Sequence, residues 1–103
     1  MEGSSQVITL SGRVGLDNAA ELRERLSQLA QDPGGVMIID ASELTHINSM
    51  GLGSLVVAHQ KLQAKGGQLR LAGPSPSIRQ VMSATALDQI IPIYSGVAEA
   101  LRG

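Results

Sequence analysis

The 103-residue sequence predicts an α/β fold, a mostly parallel or mixed sheet of about four strands packed with about four helices. Three observations point there. Apolar segments of strand period alternate with segments of helical period, and turn signals such as DPGG and Gly66-Gly67 separate them. Val36-Met37-Ile38-Ile39 is an unbroken apolar run, the pattern of a central strand covered on both faces. The length suits one domain, residues 1–103, with no repeat or linker.

Each element has its own justification. QVITLSGRV, residues 6–14, reads as a strand with Ile8 and Leu10 on one face and Gly12 loosening its end. A helix follows, because Asn18 stands three residues before Glu21 in capping-box spacing and Leu22, Leu26 and Leu29 recur at helical intervals. Glu21 also precedes Arg25 by four, the spacing of a supporting ion pair. DPGG, residues 32–35, ends the helix, and Val36–Ile39 closed by Asp40 is the second strand, after which the chain is not expected to stay extended for long. Leu52, Leu55, Val56, His59 and Leu62 then mark a helix that starts near Ser49 or Met50 and stops at Gly66-Gly67. Residues 68–72 form the third strand.

Ser75-Pro76 supplies an N-cap and a first-turn proline for a short helix whose buried stripe is Ile78, Val81 and Met82. Residues 90–94 suit an edge strand, since Pro92 cannot donate to a ladder, and Ser95 is placed to cap a last helix carrying Val97 and Leu101. The expected core is Ile8, Leu10, Leu22, Leu26, Leu29, Met37, Ile39, Leu44, Leu52, Leu55, Val56, Leu69, Leu71, Val81 and Leu87. Strand, helix, strand, helix in this order implies right-handed parallel crossovers.

Composition argues against several functions. Phe and Trp are absent and Tyr94 is the sole aromatic, which argues against aromatic cages and base-stacking platforms. Eight basic and nine acidic residues give a formal charge of -1, with no charge run to hold nucleic acid or an anionic membrane. The sequence has no cysteine for a disulfide or thiolate metal site, its MEGSSQ start lacks signal-peptide character, and its apolar runs are too short to span a bilayer. A cytoplasmic protein without membrane insertion is expected. His46 and His59 lie thirteen apart with no metal-ligand spacing, and His59, on the apolar stripe, reads as a partly buried structural residue. Gly51-Leu52-Gly53 lacks the third glycine of a dinucleotide loop, and Ser49 lacks the GxSxG context of a nucleophile elbow. No cofactor, metal or enzymatic activity is expected.

THINSMGLGSLV, residues 45–56, carries the functional signal. It puts Asn48 and Ser49 at a helix start, where free backbone N–H groups and the positive end of the helix dipole converge. One reading is a simple cap. The other is a phosphorylation site, because those same groups favour a phosphoryl group, while Gly51 and Gly53 thin the surface for a partner.

Here the sequence resembles the STAS domain of bacterial anti-sigma factor antagonists over about residues 7–101. The resemblance rests on the SGRV turn, Asp40, Ser49-Met50-Gly51-Leu52-Gly53, the Gly66-Gly67 turn, Gly73-Pro74-Ser75-Pro76 and the terminal helix. It implies a STAS-like fold and partner switching, in which an anti-sigma factor with serine kinase activity is captured, phosphorylates Ser49 and is released, and a serine phosphatase resets the site. The implied partner-binding surface is Gly15, Asp17, Thr45, His46, Asn48, Ser49, Met50, Gly51 and Gly53. Two positions depart from the family pattern: Asn48 and Gly15 stand where acidic residues are usual. Other roles on the same fold are a subunit of a lipid-transport ABC system and a nucleotide-binding STAS module. The partner's identity and the oligomeric state, a homodimer included, are left open.

Overall fold

The computed structural model describes residues 5–31 and 33–103. Strand β1 (Ser5–Val14) leads to helix α1 (Ala19–Leu29), β2 (Val36–Ile47), α2 (Ser49–Ala64), β3 (Gln68–Ala72) and α3 (Pro76–Ala84). A 3-10 turn over Leu87–Gln89 precedes β4 (Ile93–Tyr94) and α4 (Val97–Arg102). The sheet order is β1-β2-β3-β4 and every pair is parallel, as the α/β alternation requires. The α/β expectation holds.

Period 2 divides the central strands between two faces. Met37 and Ile39 of β2 and Leu69 and Leu71 of β3 are buried against Leu26 of α1, Leu55 and Leu62 of α2, and Ile78 and Met82 of α3. Ile38 and Ala72 point the other way and meet Ala100 and Val97 of α4. All fifteen expected core residues belong to the larger cluster, although Ile8, Leu10, Leu22, Leu29, Val56, Val81 and Leu87 are only partly covered. Gly66, at φ +84°, takes the left-handed conformation that closes α2, and the Gly67 N–H donates to the Leu62 carbonyl.

Four expectations are corrected. β2 does not stop near Asp40 but runs to Ile47, because β1 continues beside it and the pairing absorbs two irregularities, between Thr9 and Ser11 and between Gly12 and Arg13. Asp40 stabilises the first of these by accepting from the Ser42 N–H (3.1 Å) and hydroxyl (2.8 Å). The Asn18 capping box does not form: its Oδ1 accepts from Gly15 N (2.8 Å) and its Nδ2 donates to Arg13 O (2.8 Å), so the side chain folds back onto the end of β1. Ser95 does not cap α4, whose N-cap is Gly96. His59 is fully buried where partial burial was expected. Its Nδ1 accepts from Leu69 N–H at 3.1 Å, tying α2 to β3, and Nε2 has no hydrogen-bond partner among the described residues.

Candidate functional site

The C-terminal ends of β1 and β2 and the start of α2 meet at one end of the sheet. Asn48 N–H donates to Val14 O (2.9 Å), which pins the β2–α2 junction to the end of β1. Asn48 is the N-cap of α2, extended at φ -89° and ψ 179°, and its Oδ1 accepts from Gly51 N–H at 2.9 Å. Ser49 is therefore the first residue inside the helix. It is exposed, and its hydroxyl makes no hydrogen bond among the described residues. Capping and a free hydroxyl thus fall to two different residues.

The neighbouring residues divide into a surface and its support. Met50 and Gly53 face outward; Met50 is 49% exposed and a Cβ at Gly53 would meet nothing within 4 Å. Gly51 is buried, and a Cβ there would stand 2.7 Å from both Val14 and Ile47 side-chain carbons, so its role is to let α2 close onto the strand ends. Ser54, also buried, returns its hydroxyl to the Met50 carbonyl at 2.9 Å. Thr45 and His46 are exposed at the end of β2. Thr45 donates its hydroxyl to Gly12 O (2.8 Å), and His46 Nδ1 lies 3.1 Å from the same hydroxyl. Gly15 and Asp17 lie on the turn that joins β1 to α1, and Gly15 O accepts from Ala19 N–H at 2.9 Å.

Two shallow clefts flank Ser49. One, of about 330 Å³, runs between the strand ends and α3 and is lined by Arg13, Gly15, Thr45, His46, Asn48 and Ser77, among others. The other, of about 160 Å³, lies between α1 and α2 and is lined by Ala19, Arg23, Met50, Gly53, Ser54 and Val57. The structure thus brings Gly15, Thr45, His46 and Asn48 together around one cleft and Met50 and Gly53 around the other, with Asp17 on the adjoining turn. Sequence reasoning missed Leu16, 89% exposed between Gly15 and Asp17, and the cations Arg13 and Arg23. Leu16 had no signal of its exposure: it continues the period-2 face of Ile8, Leu10 and Val14, and only the turn after Val14 carries it out to solvent. Arg13 and Arg23 had none, since each occupies an ordinary exposed position of its element.

This arrangement offers apolar points, Leu16 and Met50, around a free hydroxyl at a helix start. Such a surface suits contact with a protein more than enclosure of a small substrate. Among the described residues no group of three metal-ligating side chains converges, and no helix is long and apolar enough to cross a membrane.

Comparison with known proteins agrees with this geometry. The chain is 33% identical over 60 residues to a relative from Thermotoga maritima, a match covering 58% of this chain and 53% of the relative, so it spans about half that protein's length. It is 30% identical over 86 residues to the anti-sigma-B factor antagonist of Listeria monocytogenes, covering 84% of this chain and 75% of the relative. The crystal structure of an anti-sigma factor antagonist from Mycobacterium paratuberculosis superposes with a TM-score of 0.81 at 26% identity, over 93% of this chain and 81% of that one. With the STAS domain model matching residues 2–100, the chain belongs to the STAS domain family.

Proposed function

We propose that this protein is an anti-sigma factor antagonist, a cytoplasmic STAS domain protein that acts by binding and carries out no catalysis of its own. Its partner is an anti-sigma factor with serine kinase activity, which docks on the face formed by Gly15, Asp17, Thr45, His46, Asn48, Ser49, Met50 and Gly53, with Gly51 supporting it from beneath. Phosphorylation of Ser49 ends the docking, and a serine phosphatase restores it.

One observation carries this reading. Asn48 supplies the helix cap, so the exposed Ser49 hydroxyl is free to be modified without loss of a structural bond. A phosphoryl group adds a charge of about -1.5 to -2, which the start of α2 tolerates because its free N–H groups and dipole favour an anion. The same charge, desolvated and unpaired in an interface, costs a few kcal/mol, or about tenfold to a thousandfold in affinity.

The test is a titration against an anti-sigma factor kinase from the same organism. Ser49→Ala is expected to bind as the parent does and to lose labelling by kinase and ATP. Ser49→Asp is expected to keep its circular dichroism spectrum and melting temperature while binding about tenfold to a thousandfold more weakly. Full labelling of Ser49→Ala, or parental affinity of Ser49→Asp, overturns the switch.

A further inference from the structure

β1 is the outermost strand, and among the described residues nothing pairs with its outer edge. Natural sheet edges are blunted by charge, proline or brevity, because their open N–H and C=O groups template another strand. Bulges protect edges too, and the pairing of β1 with β2 is irregular after Thr9, but the segment before it has none of these protections. The strand is ten residues long, and from Ser5 to Gly12 it carries neither charge nor proline. A groove of about 370 Å³ runs between it and α1, floored by Ile8, Leu10, Leu22 and Leu29, all of them only half-buried. The cause is the placement of α1, which packs chiefly on α2 and leaves the β1 side of its apolar stripe open.

Charge selects the occupant. Glu21 and Arg25 stand on the rim of this edge, one helical turn apart. At that spacing they are suited to pair with each other. They do not; among the described residues the ion pair is Glu99–Arg102. An acid and a base offset by four residues, about 6 Å along one helix, are complementary to their own image under a two-fold rotation. With the axis perpendicular to the sheet, Glu21 of one copy faces Arg25 of the other, and the reverse. That rotation also sets two β1 strands antiparallel and brings the two half-covered grooves together on one face.

We propose that this protein forms a homodimer by antiparallel pairing of β1 with β1 of a second copy, joined by reciprocal Glu21–Arg25 ion pairs, to give one continuous eight-stranded sheet. Ser49 does not line this groove, whose rim meets the cleft beside Ser49 at Arg13 and Val14.

Sedimentation equilibrium of the full chain at low salt, up to about 200 µM, tests this. The parent is expected to reach twice the monomer mass, with protection of β1 amides against hydrogen exchange rising with concentration. Glu21→Arg and Arg25→Glu each set like charges against one another and are expected to raise the dissociation constant at least about tenfold. The double exchange, Glu21→Arg with Arg25→Glu, restores the complementarity and the dimer. Both side chains are exposed, so circular dichroism of every variant is expected to match the parent. A parent that stays monomeric overturns the proposal. So does a dimer indifferent to the single exchanges, or one that the double exchange fails to recover.

Discussion

Gly51 and Gly53 stand two residues apart on α2, and their surroundings are opposite. A methyl group at Gly51 would meet Val14 and Ile47 at 2.7 Å, and β-branched side chains at that spot have little freedom to yield. Gly51→Ala is expected to lower stability, since overpacking costs about 1–3 kcal/mol against a helix-propensity gain of about 1 kcal/mol or less. Gly53→Ala meets no atom and is expected to raise stability by up to about 1 kcal/mol. Urea titration of the two variants checks both signs. Equal effects would mean that Gly51 is not the contact that seats α2 on the strand ends. The sequence displays both glycines alike; only the approach of Val14, distant in the chain, tells them apart.

At the scale of elements, α4 is the piece whose formation depends most on its neighbours. It has six residues, no side-chain cap, and is too short to be helical in isolation. Arg70 of β3 holds it: Nη1 donates to the Ala100 carbonyl at 2.6 Å, Nε donates to Gln68 Oε1 at 2.6 Å, and the guanidinium lies 5.7 Å from the centre of the Tyr94 ring. A cation on the last carbonyls of a helix also meets the favourable end of its dipole. Arg70→Ala is expected to cost about 1–2 kcal/mol and to speed hydrogen exchange in α4 well before it does so in α2. Unchanged α4 exchange would assign its docking to the apolar contact of Ala100 and Val97 with Ile38 and Ala72. The strand and the helix were each legible in the sequence, whereas their connection was not, because an arginine in a five-residue strand gives no sign of which carbonyl it reaches.

At the scale of the whole molecule, His59 ties α2 to the strand that follows it from inside the core. It is fully buried on α2 and holds the Leu69 amide of β3 through Nδ1. Burial lowers its pKa below the ordinary 6.5, an effect partly opposed by the Ile90 backbone beside the ring, although Nε2 has no partner of hydrogen-bond geometry. The folded chain therefore keeps the imidazole neutral, and the unfolded chain takes up the proton first. Stability from this group is complete above about pH 6.5 and declines as the pH falls below it, with a slope of at most about 1.4 kcal/mol per pH unit. Urea midpoints measured from pH 7.5 to 5 should fall more steeply for the parent than for His59→Gln, which removes the titration and keeps an acceptor. Parallel profiles would show that His59 does not couple folding to pH.

What the sequence determined by itself is whatever depends on neighbours a few residues away. The alternation of periods, the helix start at Asn48-Ser49, the Gly66 stop and the Ser75-Pro76 entry are all local preferences, and all appear where the sequence places them. The exposed serine at the start of α2 was legible for the same reason, since Asn48 to Gly53 form one junction, whereas Leu16, Arg13 and Arg23 on neighbouring segments were not. The tertiary structure decided the rest. β2 extends to Ile47 because β1 lies beside it, a pairing between segments about thirty residues apart. Asn18 abandons its capping box because the end of β1 and the turn after it offer its amide one donor, Gly15 N–H, and one acceptor, Arg13 O. Whether an open hydrogen-bonding group finds a partner is settled by what the fold brings within 3 Å, and short-range preferences carry no record of that distance.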